Sequence, residues 1–409
     1  MDKASFYGES REDLTGPLHG VRVLDVTTTW AGPMAGCVLA DLGADVIKVE
    51  SLSGEISRRL PPFLPGTNPA LSFAHATVNR NKRSLTLELG SRQGREIFMK
   101  LAARADIVIE SFKPGTMDKW GLGYKAVSKV KPDIVYISVS GWGQWGPDHD
   151  RPGYDPAAQA ASGFVSLNGT PDGTPVKAPT FLCDDLAGLH AAIGAMAALR
   201  HRDRTGEGQH VDVALLDAML FQSNGYLTLA AMGAPMARWG NDFIFAVPAS
   251  VYRCSDGYVY AGALLDAHWK VIARMAGRPE LAYDPEYATL HARLRHRNEC
   301  DELLAGWCSE RTVAKAIAEC THEGITCAPV RSYAEAARSP HVIERDMLQA
   351  TRLEDGTVAP ITGPAAKFSR TPTRIRFGAA ALGAHNDEIL DEIGIDTQAR
   401  RRLRKRKVI

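Results

Sequence analysis

Two adjacent aspartates, Asp184 and Asp185, stand at the start of an apolar, alanine-rich run, with Cys183 before them and His190 after them. A carboxylate and an imidazole in contact would form a general acid–base pair. In a helix, however, successive residues turn by about 100°, so His190 points about 120° away from Asp184 and about 140° away from Asp185. The spacing therefore argues against an aspartate–histidine dyad within this helix.

Two roles remain for these carboxylates. An aspartate at a helix N-terminus commonly accepts hydrogen bonds from free backbone amides. The same position favours the ionised form, and an ionised carboxylate can act as a nucleophile. Because the ordinary pKa of aspartate is about 3.9, Asp184 is expected to be almost fully ionised at pH 7. The residues alone leave both capping and nucleophilic catalysis open.

The segments that must position these carboxylates alternate between two patterns. β-Branched, strand-like runs occupy 20–27, 45–51, 106–111 and 133–140, and segments with helical spacing occupy 31–44, 91–105 and 124–130. Such alternation predicts an α/β fold with an open parallel sheet of Rossmann type, covered by helices.

The second half of the chain has a different texture. A loop rich in glycine, proline and aromatic residues spans 141–156, and helices are predicted over 184–204 and 211–232. Short strands and helices over about 235–340 predict a smaller α+β domain. We therefore divide the chain into a large Rossmann-like domain (1–232), a small α+β domain (233–340), and a return segment with a C-terminal helix that packs on the large domain (341–409).

Composition excludes several classes of protein. The 409 residues carry a formal net charge of +1, which shows no global preference for nucleic acid. Seven scattered cysteines without a C-x-x-C pair indicate neither a disulfide framework nor a zinc site. The polar N-terminus and the lack of a long apolar run predict no signal peptide and no membrane span, and hence a cytoplasmic protein. The basic tail, 401–409, is predicted to be a solvated, frayed terminus.

The first two predicted strands bear on whether the chain binds a dinucleotide. Glu50 ends the second predicted strand, where a dinucleotide fold carries its ribose-binding acid. The first turn, however, has glycines only at 32 and 36 and lacks the G-x-G-x-x-G fingerprint, which argues against NAD. Basic residues in 79–84, with Lys113, Lys119 and Arg151, follow strands and suit either a phosphorylated ligand or a solvated surface.

Six segments, in this order, resemble the class III CoA-transferases, the CaiB/BaiF family. They are "PLHGVRVLDVT…AGP…LADLGADVIKVE" (17–50), "NRNKRSLTLEL" (79–89), "ADIVIESFKPGTMDKWGLGY" (105–124), "PGYDPAAQAASG" (152–163), "CDDLAGLHAAIGAMAALRHRDRTGEGQHVDVALLDAM" (183–219) and "LGAHNDEIL" (382–390). The resemblance spans nearly the whole chain.

The resemblance implies an activity and a nucleophile. Members transfer CoA from an acyl-CoA thioester to a free carboxylic acid through an aspartyl anhydride and an aspartyl-CoA thioester. Their aspartate precedes a glycine by four residues, which fits Asp184 with Gly188 and leaves Asp185 as a cap or a surface charge. No permanently bound cofactor and no metal are implied, since CoA is a substrate.

The resemblance also implies an assembly: ring-shaped chains with a Rossmann-like large domain and a smaller domain, interlocked as a homodimer. A heteromer with a paralogous subunit is the alternative.

Twelve CoA contacts carry over by position from the family. Arg151 lies one residue from a position that is basic in some members. The twelve are Trp30, Ala31, Leu87, Glu88, Leu89, Ser111, Phe112, Lys113, Lys119, Arg151, Tyr154 and Asp155.

Three questions stay open at this point. Succinyl-CoA is one candidate donor, and neighbouring aromatics (Trp239, Phe243 and Phe245) predict a larger or more apolar acceptor acid unless they belong to the small-domain core. The second question is whether the chain is a 2-methylacyl-CoA racemase of the same fold. Such a racemase would carry the sequence G-H-D, whereas this chain has G-Y-D at 153–155, with Tyr154 in place of the histidine. A non-catalytic CoA-binding subunit of a heteromer would lack the nucleophile, whereas Asp184 is present.

Overall fold

The computed structural model describes residues 2–409, which divide into two compact units. The first comprises the chain up to Phe164, Lys177–Gly233 and His341–Ile409; the second comprises Val165–Val176 and Ala234–Pro340. Segment 165–176, predicted in the large domain, belongs to the second unit. The guanidinium of Arg238 explains this grouping, because it donates to the carbonyl oxygens of Ser166, Thr170, Pro171 and Gly173 in that segment.

A six-stranded parallel sheet forms the centre of the first unit, and its spatial order is β3-β2-β1-β4-β5-β6. This is the doubly wound order of a Rossmann-type fold, so the predicted α/β class is confirmed. The strands are β1 (Arg22–Val26), β2 (Asp45–Glu50), β3 (Lys82–Thr86), β4 (Ile107–Glu110), β5 (Val135–Ser140) and β6 (Gln209–Ala214). An antiparallel hairpin of β10 (Leu348–Arg352) and β11 (Val358–Thr362) belongs to the same unit, while β7 (Ala249–Arg253), β8 (Tyr258–Gly262) and β9 (Thr326–Pro329) belong to the second.

Helices connect these strands. In chain order they are α1 (Lys3–Phe6), α2 (Ala31–Asp41), α3 (Phe73–Val78), α4 (Arg92–Ala102), α5 (Thr116–Lys119), α6 (Tyr124–Val130), α7 (Asp155–Ala161), α8 (Phe164–Leu167), α9 (Leu182–Thr205), α10 (Leu215–Phe221), α11 (Tyr226–Ala231), α12 (Asp266–Met275), α13 (Leu290–Arg293), α14 (Arg297–Ser309), α15 (Val313–His322), α16 (Tyr333–Ala337), α17 (Pro340–Glu344), α18 (Asn386–Glu392) and α19 (Thr397–Lys405). Short 3-10 segments lie at Ile56–Arg59, Pro279–Ala282 and Leu294–His296.

The parallel sheet separates two hydrophobic cores, because successive side chains of a strand point to opposite faces. In β1, Val23 enters one core while Leu24 and Val26 enter the other. In β4, Ile107 and Ile109 face the core that also holds α2 and α9. Both faces of the sheet are therefore buried, which explains why these strands read as nearly continuous apolar runs.

Helix α9 packs against α2 across a narrow gap. A Cβ atom added at Gly188 would lie 2.8 Å from Cβ of Met34 and 2.9 Å from the carbonyl oxygen of Ala31, so only glycine allows this approach. Within residues 2–409, α9 alone has the length and composition of a membrane-crossing helix, but half of its apolar window is buried inside the protein. Its buried alanines, Ala187 and Ala191 among them, make it a core helix.

Two strands differ from the sequence prediction. Residues 209–214 form the edge strand β6, although a helix was predicted from residue 211, and helices α10 and α11 begin only at Leu215 and Tyr226. Strand β3 was not predicted, because its polar first residues conceal it; Lys82 lies in the sheet and is fully buried. In both cases pairing with a neighbouring strand overrides the local polarity.

The basic C-terminal tail was wrongly predicted to be frayed. Residues up to Lys405 belong to α19, and Leu403, Val408 and Ile409 are buried in the core beneath α4. The carbonyl oxygen of Val408 accepts a hydrogen bond from the amide of Glu88 at 2.9 Å. The arginines point outward while the apolar residues between them anchor the terminus.

The second unit has a core of its own. A three-stranded antiparallel sheet, β7-β8-β9, packs with α12, α14 and α15 around Trp269 and Trp307. The aromatics Trp239, Phe243 and Phe245 are not part of this core: their exposed fractions are 43%, 38% and 59%. The alternative that they are core residues is therefore wrong.

Candidate active site

Two loops meet where the strand order of the parallel sheet reverses. Strands β1 and β4 are neighbours, and their outgoing connections run in opposite directions, which opens a crevice at the carboxyl ends of the strands. A hydrogen bond joins the two loops: the amide of Thr28, after β1, donates to Oγ of Ser111, after β4, at 3.0 Å. We call residues 27–33 the first loop; this segment runs from the end of β1 into the first turn of α2.

Asp184 lies in the first turn of α9 and is only 9% exposed. Within residues 2–409, no cationic side chain forms an ion pair with Asp155, Asp184 or Asp185. The carboxylate of Asp155 accepts from backbone amides and from Gln159, and that of Asp185 accepts from Trp30. The side chain of His190 packs edge-on against Phe221, with ring centroids 5.0 Å apart. The absence of an aspartate–histidine dyad is therefore confirmed.

Asp155 caps α9 from a different helix. Its Oδ2 accepts hydrogen bonds from the backbone amides of Cys183 at 2.7 Å and Asp184 at 3.4 Å, while Oδ1 accepts from Nε2 of Gln159 at 2.6 Å. The residue before the helix, Phe181, supplies no side-chain cap. Asp155, predicted as a CoA contact, is thus a buried cap whose two oxygens are both occupied.

Asp185 is neither a cap nor a surface charge, contrary to the sequence prediction. Its Oδ1 accepts a hydrogen bond from the indole Nε1–H of Trp30 at 2.7 Å. The ring of Trp30 lies 4.8 Å from that of Phe181 and 6.0 Å from that of Phe73, measured between centroids. The predicted loop residue Trp30 is therefore attached to the first turn of α9.

Burial raises the pKa of Asp184 to about 7, and the charges of Asp155 and Asp185 act in the same direction. The expectation of almost complete ionisation at neutral pH was therefore wrong. The dipole of α9 opposes this effect, because the N-terminal end of a helix favours negative charge. The carboxylate needed for a nucleophile is fully populated only above neutral pH.

The first loop is held in a conformation that is unusual for threonine. Thr29 has φ +75°, a region that β-branched residues rarely adopt. The buried carboxylate of Glu55 accepts from the amide of Thr29 at 3.1 Å and from Oγ1 of Thr28 at 3.3 Å. Glu55 in turn contacts Ser57 and His75, so a buried polar cluster stabilises the turn that precedes Trp30.

Two buried lysines hold the ends of the same loop. Nζ of Lys48 donates to the carbonyl oxygen of Thr27 at 2.5 Å, and Nζ of Lys82 donates to that of Pro33 at 2.7 Å. Both pair with Asp25, at 3.2 Å and 2.8 Å. Burial raises the pKa of Asp25, but the two lysines outweigh it and lower the value to about 2.

The remaining basic residues of 79–84 are also engaged within the protein. Arg80 pairs with Asp41 at 2.6 Å, and Arg83 pairs with Asp45 at 2.7 Å. Glu50, considered as a ribose-binding acid, is buried and accepts two hydrogen bonds from Arg58, each 2.8 Å long. The interpretation of segment 79–84 as ligand-binding cations is therefore wrong, because cations that are buried need carboxylates as partners.

Similarity to known proteins identifies the family to which the chain belongs. A family model described as CoA-transferase family III matches residues 18–386. The chain belongs to CoA-transferase family III. It is 36% identical to the succinyl-CoA–L-malate CoA-transferase beta subunit of Chloroflexus aurantiacus, covering 97% of this chain and 98% of that one. It is 35% identical to the succinyl-CoA:mesaconate CoA-transferase of Haloarcula marismortui, with 94% and 98% covered.

A solved structure extends the likeness to three dimensions. The crystal structure of a CaiB/BaiF family protein from Brucella suis matches with a TM-score of 0.81 and 33% identity, covering 93% of this chain and all of that one. The predicted family and its enzyme class are therefore confirmed: the protein is a CoA-transferase. Interlocking of two chains stays a prediction.

In this family III CoA-transferase, the twelve positions predicted to contact CoA differ in exposure. Some have side chains that a ligand could reach, and others have only their backbone within reach. Leu87 and Leu89 are buried in the core, so only their backbone can reach a ligand. Lys113 and Lys119 are exposed, and Phe112 packs edge-on against Trp120 at 5.3 Å. Their contacts with CoA stay a prediction.

Four further positions complete this set. Ala31 opens α2, and Glu88 accepts from the amide of Gly90 at 2.8 Å. The exposed Arg151 pairs with Asp148 at 3.1 Å. Tyr154, at the place where a racemase would carry its histidine, is 67% exposed.

Sequence reasoning missed three groups of this CoA-transferase. Glu55 and the Trp30–Asp185 bond had no linear signal, because their partners lie far apart in the chain. The sequence indicates Glu110 only as a residue within a predicted strand, 106–111. It is buried, its carboxylate accepts from the amide of Phe112 at 2.8 Å, and burial raises its pKa to about 7. A glutamate ending an apolar parallel strand was the only available hint.

Proposed function

We propose that this enzyme transfers CoA from a dicarboxylic acyl-CoA, with succinyl-CoA as the donor, to a free carboxylic acid through Asp184. The single observation that supports Asp184 is its setting. It is a buried carboxylate in the first turn of α9, it has no cationic partner among residues 2–409, and its own backbone amide donates to Asp155. The names of the relatives, which use succinyl-CoA with malate or mesaconate, support the donor.

In the first half-reaction the ionised carboxylate of Asp184 attacks the thioester carbonyl carbon. The carbon–sulfur bond breaks, CoA leaves as a thiolate, and an acyl–aspartyl anhydride forms. The thiolate then attacks the aspartyl carbonyl carbon, the anhydride carbon–oxygen bond breaks, and the donor acid leaves as a carboxylate. Asp184 now carries CoA as a thioester.

The second half-reaction reverses these steps with a different acid. The acceptor carboxylate attacks the aspartyl thioester, which releases CoA thiolate and forms a new mixed anhydride. Attack of the thiolate on the acceptor acyl carbon releases the product acyl-CoA and restores the carboxylate of Asp184. No net proton is taken up or released, and no oxidant or reductant is needed.

The surrounding residues favour this sequence in two ways. Burial removes hydrating water from the carboxylate, and the amide dipoles at the N-terminus of α9 favour the anions that form beside it. Because the nucleophile must be ionised, turnover should fall as the pH drops below about 7, the value to which burial raises the pKa of Asp184.

Exchange of deuterated succinate into unlabelled succinyl-CoA, followed by mass spectrometry, tests the proposal without knowledge of the acceptor. Asp184→Ala and Asp184→Asn should abolish exchange while CoA binding, measured by calorimetry, is retained. Asp172→Ala, on an exposed turn, is the matched control and should exchange normally. Hydroxylamine should convert Asp184 to a hydroxamate only when succinyl-CoA is present. Exchange by purified Asp184→Ala at the unmodified rate would refute the assignment.

We propose a homodimer as the working assembly. Within the first unit, apolar side chains on α9, α10 and the end of α11 are exposed, namely Leu189, Ile193, Phe221 and Met232. Leu189 and Ile193 are four residues apart and so share one face of α9, and exposed apolar faces commonly mark protein–protein interfaces. A relative named as a beta subunit makes a heteromer the alternative. Native mass spectrometry of the chain expressed alone, with the exchange assay on the same sample, distinguishes an active homodimer from an inactive single subunit.

A further inference from the structure

The neighbour of the proposed nucleophile has an environment of its own. Asp185 follows Asp184 on α9 but points to a different side of the helix, where its Oδ1 meets the indole Nε1–H of Trp30 at 2.7 Å. Asp155, by comparison, has two backbone amides and the amide group of Gln159 as donors. Two carboxylates flank Asp184, those of Asp155 and Asp185. The charge of Asp185 is the less compensated, because it has one hydrogen-bond donor and Asp155 has three.

Trp30 belongs to the loop that the buried lysines and Glu55 hold in place. It is the residue directly before α2, and it follows the strained Thr29. Its bond to Asp185 joins the first loop to the first turn of α9, and its ring packs against Phe181 at the start of the same turn. The bond thus fixes the distance between the loop and the segment that carries Asp184.

We propose that Asp185 is a positioning residue with two separable effects: its hydrogen bond holds Trp30 and the first loop against α9, and its charge opposes the ionisation of the neighbouring nucleophile. This inference rests on the proposed function of Asp184. It deepens that proposal, because it assigns a role to a residue that CoA transfer itself does not require.

The charges around the nucleophile are few. Among residues 2–409, the carboxylate of Asp155 faces it from α7, and Asp185 and the buried thiol of Cys183 adjoin it on α9. On α2, the residues that contact α9 at Gly188, Ala31 and Met34, do not titrate. Because the described residues provide no balancing cation, removal of one carboxylate charge should be felt directly at Asp184.

Substitutions at positions 30 and 185 separate the two effects. Asp185→Asn removes the charge but keeps an oxygen that can accept from the indole. Trp30→Phe keeps an aromatic ring but removes the donor, while the charge of Asp185 stays. Asp185→Ser removes the charge and also shortens the side chain, so the indole loses its partner; it provides a second test of positioning if Trp30→Phe does not fold.

The readout is the pH profile of succinate exchange into succinyl-CoA, resolved into the maximal rate and the midpoint of the acid limb. Asp185→Asn should move this midpoint down by roughly one pH unit, the size expected for two carboxylates at a part-buried site, with an unchanged maximal rate. Trp30→Phe should lower the maximal rate about tenfold through lost orientation. Asp185→Ser should show both changes, and Asp172→Asn neither.

The failures are distinguishable. If unmodified enzyme exchanges no label at any pH, or if Asp184→Ala still exchanges it, the proposed function fails. If Asp184 is essential but Asp185→Asn has the midpoint of the unmodified enzyme, the charge effect is refuted. An unchanged maximal rate in Trp30→Phe, or in Asp185→Ser where Trp30→Phe does not fold, refutes the positioning effect. Thermal unfolding and CoA calorimetry on each variant identify any general loss of structure.

Discussion

The carboxylate of Asp155 accepts a hydrogen bond from the backbone amide of Cys183 at 2.7 Å and thereby caps a helix to which it does not belong. It also accepts, at 3.4 Å, from the amide of Asp184 itself. The proposed nucleophile is therefore positioned by a residue at the start of α7, and the stability of that helix end and the placement of Asp184 depend on the same side chain.

Loss of this cap should cost stability. Asp155→Ala leaves two buried amides without an acceptor, and we expect it to lower the free energy of unfolding by about 1–2 kcal/mol, the usual effect of a lost helix cap. Asp155→Asn keeps an acceptor and should cost less. Urea unfolding measures both, and equal losses for the two variants would contradict the capping role.

The unfolding of the enzyme should depend on pH through Asp184. The pKa of this group is raised in the folded state to about 7, above its value in the unfolded chain, so the folded state retains a proton that the unfolded state has already lost. Stability should therefore fall as pH rises through the interval from about 4 to 7 and the added cost should stay constant above it.

Asp184→Asn isolates this contribution. At pH 4 the variant and the unmodified protein should have nearly the same free energy of unfolding. At pH 8 the variant should be more stable, by an amount on the order of 4 kcal/mol at most, since each pH unit in the interval is worth about 1.4 kcal/mol. Urea unfolding over pH 4–8 gives the difference curve, and a flat curve would show that the buried carboxyl is not perturbed.

The close approach of α9 to α2 can be tested with a single methyl group. Gly188→Ala would place Cβ 2.8 Å from Cβ of Met34 and 2.9 Å from the carbonyl oxygen of Ala31. Because the backbone at Ala31 cannot move aside without strain, we expect the free energy of unfolding to fall by about 1–3 kcal/mol, the range typical of overpacking. Gly306→Ala in α14 is the control, because its Cβ would meet nothing within 4 Å and the higher helix propensity of alanine should stabilise.

These two glycine variants should also differ in activity. Displacement of Met34 and Ala31 moves the start of α2 and with it the first loop, so Gly188→Ala should slow succinate exchange, whereas Gly306→Ala should not. Faster or unchanged exchange in Gly188→Ala would show that the loop tolerates the shift.

Removal of a buried lysine should be far more damaging than removal of an exposed one. Lys82→Met leaves Asp25 with one cation and deprives the carbonyl oxygen of Pro33 and the side-chain oxygen of Asn79 of their donor. Removing one partner of such a buried ion pair lowers the free energy of unfolding by about 3–5 kcal/mol. Lys119→Met, at an exposed position, should unfold like the unmodified protein. Thermal unfolding compares them, and equal melting temperatures would contradict the role of Lys82.

Strand–helix alternation was enough to predict the parallel sheet, because strands buried on both faces must be apolar along their whole length. The same rule failed at the edges. Strand β6, at one edge, alternates polar and apolar residues and was taken for a helix, and β3, at the other edge, begins with a buried lysine. A strand at the edge of a sheet pairs on one side only, so its sequence shows less of the continuous apolar run that marks a central strand.

Charged residues show the limit of sequence reasoning most clearly. Lys82 and Lys113 look alike in the sequence, yet one is fully buried against Asp25 and the other is exposed. The difference depends on strand pairing, which brings residues 25 and 82 together. The C-terminal tail follows the same logic, since the apolar residues that anchor it are outnumbered by arginines and lysines.

By itself the sequence determined the family and the α/β class, which depend on ordered motifs and on strand–helix alternation. It also singled out Asp184 as the proposed nucleophile, through a glycine four residues after an aspartate. Only the tertiary structure decided what Asp155 and Asp185 do, and that the pKa of Asp184 is raised. The physical reason is that capping, burial and the charge of a neighbour depend on distances in space. Asp185 and Trp30 are 155 positions apart in the chain, and only the packing of α9 against the first loop brings them within 2.7 Å.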